Sequence, residues 1–125
     1  MRKKTSIMTQ QDEYFVRHIS EVQTVPCMCG SSTRIIPSTE GLEANVHLTH
    51  IVDSKLHYHK KSVEIYYIVQ GSGKMVLGDQ TFDIRTGSLI YIPREVPHRG
   101  YGDFKALIVG IPPVDSQDEF VLEEA

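Results

Sequence analysis

The chain has 125 residues, is 40% apolar and 23% charged, and carries a formal net charge of −3. That length suits one domain with one core, and the charge balance excludes a basic nucleic-acid surface. No stretch approaches the ~20 apolar residues of a membrane-spanning helix, and no charged start followed by a long apolar run marks a leader.

The lone basic run, Arg2-Lys3-Lys4, lies in a polar segment over residues 1–12 that is expected to be mobile. Residues 14–25 carry a weak apolar pattern that suits a short strand or a single helical turn. Pro26 to Ser32 is expected to be a loop, broken by Gly30 and two serines. Its Cys27 and Cys29 are too close for an ordinary disulfide and too few for a stapled scaffold. A reducing cytoplasm is therefore the expected compartment.

Thr33 to Ile36 is predicted as a strand, and Ala44 to Val52 alternates with period 2. Val63 to Val69 is rich in β-branched and aromatic residues and is expected to end at Gly71-Ser72-Gly73. Lys74 to Leu77 and Gln80 to Ile84 flank Gly78-Asp79, a two-residue hairpin link. Ser88 to Ile92 is a strand closed by Pro93, and Phe104 to Ile111 is a strand closed by Pro112-Pro113. The acidic tail from Asp115 offers only Phe120, Val121 and Leu122 for docking. Many short strands at ~8–12-residue spacing predict an all-β sandwich or barrel.

Within this pattern lies His57-Tyr58-His59, followed by Glu64 and Gly71 as His-x-His-x4-Glu-x6-Gly. A second segment, Gly87-x5-Pro93-x4-His98, follows. Alternation puts His57 and His59 on one face of a strand, and Glu64, Tyr66 and Ile68 on one face of the next. Imidazole is the commonest metal ligand and a carboxylate adds charge and hardness. Three histidines and one glutamate suit a divalent transition metal (Fe, Mn, Ni, Co, Zn or Cu). Octahedral coordination would leave two adjacent positions open.

These residues resemble the two motifs of the cupin superfamily. The first is Gly-x5-His-x-His-x3,4-Glu-x6-Gly, matched by His57, His59, Glu64 and Gly71; the second is Gly-x5-Pro-x-Gly-x2-His-x3-Asn, matched by Gly87, Pro93 and His98. The resemblance covers about residues 44–111. Ile51, Glu95 and Gly102 stand where the motifs have Gly, Gly and Asn. The resemblance implies a double-stranded β-helix, the jelly-roll cupin barrel, over residues 31–113. An N-terminal extension over 1–30, with a possible edge strand, and an acidic tail over 114–125 would flank it. Small cupins are often homodimers, and N-terminal edge strands could pair across the interface.

Other residues are candidates around the site. Tyr66, two residues past Glu64, is placed to orient a substrate or donate a proton. Tyr91 is a weaker candidate of the same kind. His47 and His50 face opposite sides of their strand, so at most one points inside. Arg34, in an apolar strand, could bind a substrate carboxylate or phosphate in bidentate fashion, or snorkel to the surface.

Two functional classes follow. One is a metal-dependent enzyme on a small organic molecule. Its chemistry would be dioxygenase with iron, or isomerase, lyase or decarboxylase on a sugar acid or keto acid with other metals. The other is a binding barrel that uses the metal as an anchor for a sugar or organic acid. A storage role is disfavoured, because storage cupins usually have two barrels and lose ligands.

Overall fold

The computed structural model describes residues 14–122, so the Arg2-Lys3-Lys4 run lies outside the described residues. Among the described residues nine strands form one curled antiparallel sheet: β1 (Thr24–Cys27), β2 (Gly30–Ile36), β3 (Asn45–Asp53), β4 (His57–Tyr58), β5 (Val63–Leu77), β6 (Gln80–Arg85), β7 (Leu89–Ile92), β8 (His98–Ile111) and β9 (Phe120–Val121). Three 3-10 turns, Ile19–Glu21, Ser38–Glu40 and Ser116–Asp118, are the helical elements of the described residues. The fold is an all-β barrel, and no described helix is long and apolar enough to cross a membrane.

Strand β8 is the spine. It pairs with β3 along one edge and with β5 along the other, and its first residue, His98, pairs with His57 of β4. The β5–β6 hairpin and the β5–β7 pairing complete the wall. Period-2 alternation sends Ile51, Tyr66, Ile68, Met75, Ile84, Ile90, Ile92, Phe104, Ala106 and Ile108 into one core.

Several sequence expectations change. Gly71-Ser72-Gly73 does not end a strand; β5 runs through it, with a register shift between Ile68 and Gln70. The glycines instead let two backbones touch. A Cβ on Gly71, at φ +94°, would stand 2.3 Å from the Asp103 carbonyl oxygen. The last expected strand, Phe104 to Ile111, starts earlier, at His98. Glu95, in place of the motif glycine, takes the left-handed conformation at φ 69° and donates its amide to the His59 carbonyl at 2.7 Å.

The expected loop at Pro26 to Ser32 is a hairpin, in which Met28-Cys29 turns β1 into β2. This turn brings the Cys27 and Cys29 Cα atoms to 5.2 Å, and the two sulfurs are bonded. Sequence proximity is thus no bar, because the separation lies inside the usual disulfide range of ~4.4–6.8 Å. The bond also removes one support for a reducing compartment.

Both ends of the described chain are tied to the barrel. Arg17 makes a two-pronged contact with Glu40, 2.9 Å on each prong, and donates to the Ile35 carbonyl at 2.7 Å. At the other end β9 pairs with β4, and Phe120 stacks on Tyr58 with ring centroids 5.2 Å apart.

Candidate metal centre

Strand pairing assembles the four motif residues. His57 and His98 are register partners, with ring centroids 4.3 Å apart. His59 follows β4 on the same face, and Glu64 enters as the second residue of β5. One ligand-type atom from each of His57, His59, Glu64 and His98 lies within 4.8 Å of the others. His98, His59 and Glu64 are buried, at 1%, 4% and 7% exposure, while His57 is half-buried.

Hydrogen bonding decides what these atoms can do. The Nδ1 of His57 lies 2.7 Å from the Lys55 carbonyl oxygen, that of His59 2.8 Å from Asp118 O, and that of His98 2.9 Å from Val96 O. A carbonyl oxygen can only accept, so each Nδ1 carries the hydrogen. In a neutral ring the Nε2 lone pair is then bare. Yet the Glu64 Oε1, itself an acceptor, stands 3.2 Å from His59 Nε2 and 3.1 Å from His98 Nε2. Four acceptors converging in a buried space are stable only with protons or a cation among them. Backbone carbonyls on the far ring nitrogen are also the usual orienting partners of metal-bound imidazoles. Neighbouring ligands ~2.1 Å from one ion stand roughly 3 Å apart at a right angle, close to the two separations seen. The donor set therefore fits a divalent transition metal.

The electrostatics agree. Burial would raise the Glu64 carboxyl, but His59 and His98, which can donate to it from Nε2 when protonated, overcome burial and hold it at about 2, so it stays ionised. Burial, reinforced by His98, lowers His57 and keeps it neutral. His59 goes the other way: burial opposes its charge, but Glu64 more than compensates and raises it. Metal ligation needs the rings in their neutral form, in which the three imidazoles and the Glu64 carboxylate would present a single negative charge to an ion.

The tetrad stands beside a cavity of about 310 Å³. Tyr66 and His47 line it, as does Arg34, an exposed residue. His50 points outward and bonds Asp103 at 2.6 Å. Tyr91 is 55% exposed, outside the cavity, because β7 turns Ile90 and Ile92 inward and Leu89 and Tyr91 outward. Sequence reasoning missed Asp118, whose carbonyl holds His59 and whose carboxylate accepts the Lys60 and Lys61 amides at 3.0 and 2.9 Å. It also missed Ser32, buried in the cavity wall. Neither belongs to a spaced motif; both reach the site only through pairing of distant segments.

Comparison with known proteins agrees with this geometry. A family model described as a cupin domain matches residues 48–108. The protein MJ1618 of Methanocaldococcus jannaschii is 40% identical over 72 residues, covering 54% of this chain, and the chain spans 58% of that relative's length. A crystal structure of a protein from Planctomyces limnophilus superimposes with a TM-score of 0.78 at 28% identity, covering 93% of this chain and 99% of that one. Pac13 of Streptomyces, a nucleoside dehydratase, shares the fold at TM-score 0.78 and 17% identity, over 88% of this chain and 92% of its own. On its motifs, its barrel and these matches, the chain belongs to the cupin superfamily.

Proposed function

We propose that this protein is a metal-dependent enzyme acting on a small oxygen-bearing organic molecule, with one divalent transition metal held by His57, His59, Glu64 and His98. One observation carries the reading: three Nδ1 atoms committed to backbone carbonyls turn three bare Nε2 atoms toward a buried, ionised carboxylate. The bound metal would supply a Lewis acid that polarises substrate oxygen atoms.

The rest falls to the chain's own side chains. Tyr66 lines the cavity, and its ring lies 6.3 Å from that of His98. Burial, aided by Glu64, pushes its hydroxyl well above the usual tyrosine value, so it keeps its proton at neutral pH. A retained proton beside a polarised oxygen suits proton transfer to a leaving or developing oxyanion. That favours lyase or isomerase chemistry. Pac13, a dehydratase, offers a precedent for such chemistry on this fold. The test is a substrate screen with metal-loaded protein and the Tyr66→Phe variant. The variant should keep its metal and lose roughly 100-fold or more in turnover, within the usual range for a general acid. Unchanged turnover would return Tyr66 to core packing.

The reading includes a homodimer. Across four strands the outer face carries two apolar rows, Val46–Val109–Ile65–Tyr91 and Leu48–Leu107–Tyr67–Leu89, each linked by strand register. Tyr67, Leu89 and Tyr91 are 45%, 65% and 55% exposed. A contiguous apolar face of this kind usually meets a partner, and a second copy offers the matching surface. Leu89→Glu should shift the chain to monomer in sedimentation equilibrium without loss of metal. A variant with wild-type mass would move the interface elsewhere.

A further inference from the structure

Two side-chain atoms among the described residues are buried without a hydrogen-bond partner, Ser32 Oγ and His47 Nε2, and both residues line the same cavity. Buried polar groups are almost always satisfied, so an orphan marks an absent ligand or water. Strand register makes these two a cluster. Ser32 and Arg34 are two apart on one face of β2; their partners on β3 are Thr49 and His47. All four line the cavity wall. Ser32 is only 4% exposed, whereas Arg34 is exposed at the rim. No hydrogen bond or ion pair engages the Arg34 guanidinium within the described residues.

We infer that Arg34, His47 and Ser32 form a subsite for an anionic oxygen group, a carboxylate or phosphate, so that the substrate is a small organic anion held by this subsite at one end and by the metal at the other. This deepens the enzyme reading above and rests on it. The chemistry is all donation. Arg34 offers a planar fork matched to a carboxylate or phosphate edge. Ser32 contributes a hydroxyl hydrogen, and His47 an N–H in the appropriate tautomer. Burial and the neighbouring Arg34 keep His47 neutral, so Arg34 supplies the cationic charge of this cluster. Strand register sets His47 beside Arg34 of β2 and, across Ile108 of β8, in line with Tyr66 of β5; Arg34 and Glu64 are the charges that act on it. Of the other charges lining the cavity, Lys55 adds to the positive field. Glu119 acts on His57, His59 and Tyr66 and is not among the charges acting on His47.

The probes are succinate, inorganic phosphate and neutral succinamide. Each is titrated into the 15N-labelled full chain, stripped of metal with a chelator, and followed by amide NMR shifts. Cobalt(II) uptake is measured in parallel. Succinate or phosphate should saturate with shifts centred on Ser32, Arg34 and His47, and the tighter of the two names the anion. Arg34→Gln should weaken it tenfold or more, Ser32→Ala and His47→Gln severalfold, all three with cobalt uptake retained. Succinamide should not saturate. Equal affinity in Arg34→Gln and wild type, equal binding of succinamide, or shifts away from these residues would overturn the subsite. Anion binding without cobalt uptake would sink the enzyme reading and leave the anion site standing. Cobalt uptake without saturable anion binding would do the reverse.

Discussion

Replacing His59 with alanine is expected to abolish stoichiometric metal binding. The ring is nearly sealed from solvent, its Nδ1 is tied to Asp118 O, and its Nε2 faces Glu64 at 3.2 Å. No other described side chain is placed to substitute for it in the cluster. The effect reads out without knowledge of a substrate. A metal present at ~1,000 times its Kd stabilises a fold by about 4 kcal/mol, which raises the melting temperature of a chain this size by roughly 10 °C or more. Wild type should show that rise on adding zinc or cobalt, and His59→Ala should show almost none. Equal shifts in the two proteins would mean that the metal sits elsewhere.

The second large effect is expected from the tail. Truncation after Val114 removes the carbonyl that fixes the His59 tautomer, the Asp118 carboxylate that accepts two amides just past His59, and the β9 pairing with β4. Burial pushes the Asp118 carboxyl up, but those amides outweigh it and leave it below its usual range. Partners of this kind are worth about 10–100-fold in metal affinity, and hydrogen bonds to a charged group about 1.5–3 kcal/mol each. The truncated chain should therefore melt lower and bind cobalt at least tenfold more weakly in a chelator competition. Asp118→Asn keeps the main-chain carbonyl and β9, so its affinity should fall between the two. Full affinity in a folded truncated chain would show that His59 is held without the tail.

The interior of the barrel was legible wherever side-chain alternation decides the outcome. His57 with His59, Glu64 with Tyr66 and Ile68, and His47 against His50 all take the faces that period 2 assigns. Gly78-Asp79 turns β5 into β6 at the expected register, Leu77 opposite Gln80. Pairing His98 with His57 needed more than alternation: the sheet must curl, and the motif resemblance supplied what local pattern could not. Tyr91 shows the opposite case, an aromatic residue assigned to the site by type when its parity puts it outside.

What stayed hidden depends on contacts between distant segments. Asp118 meets His59 from 59 residues away, and no local spacing encodes that contact. Ser32 becomes notable only once β2 is paired with β3 and its hydroxyl is found without a partner. The Cys27–Cys29 bond required a tight hairpin where composition suggested an open loop. Glu95 adopts the left-handed backbone that its motif position demands although it lacks glycine's freedom. Such a residue costs about 1–2 kcal/mol, which the surrounding fold offsets.

The most direct test of the account is elemental analysis of untagged protein, purified without chelator and then reconstituted with each candidate metal, expressed per chain. The account predicts close to one divalent transition metal per chain, lost on His59→Ala. No metal as purified, and none taken up on reconstitution, would contradict it.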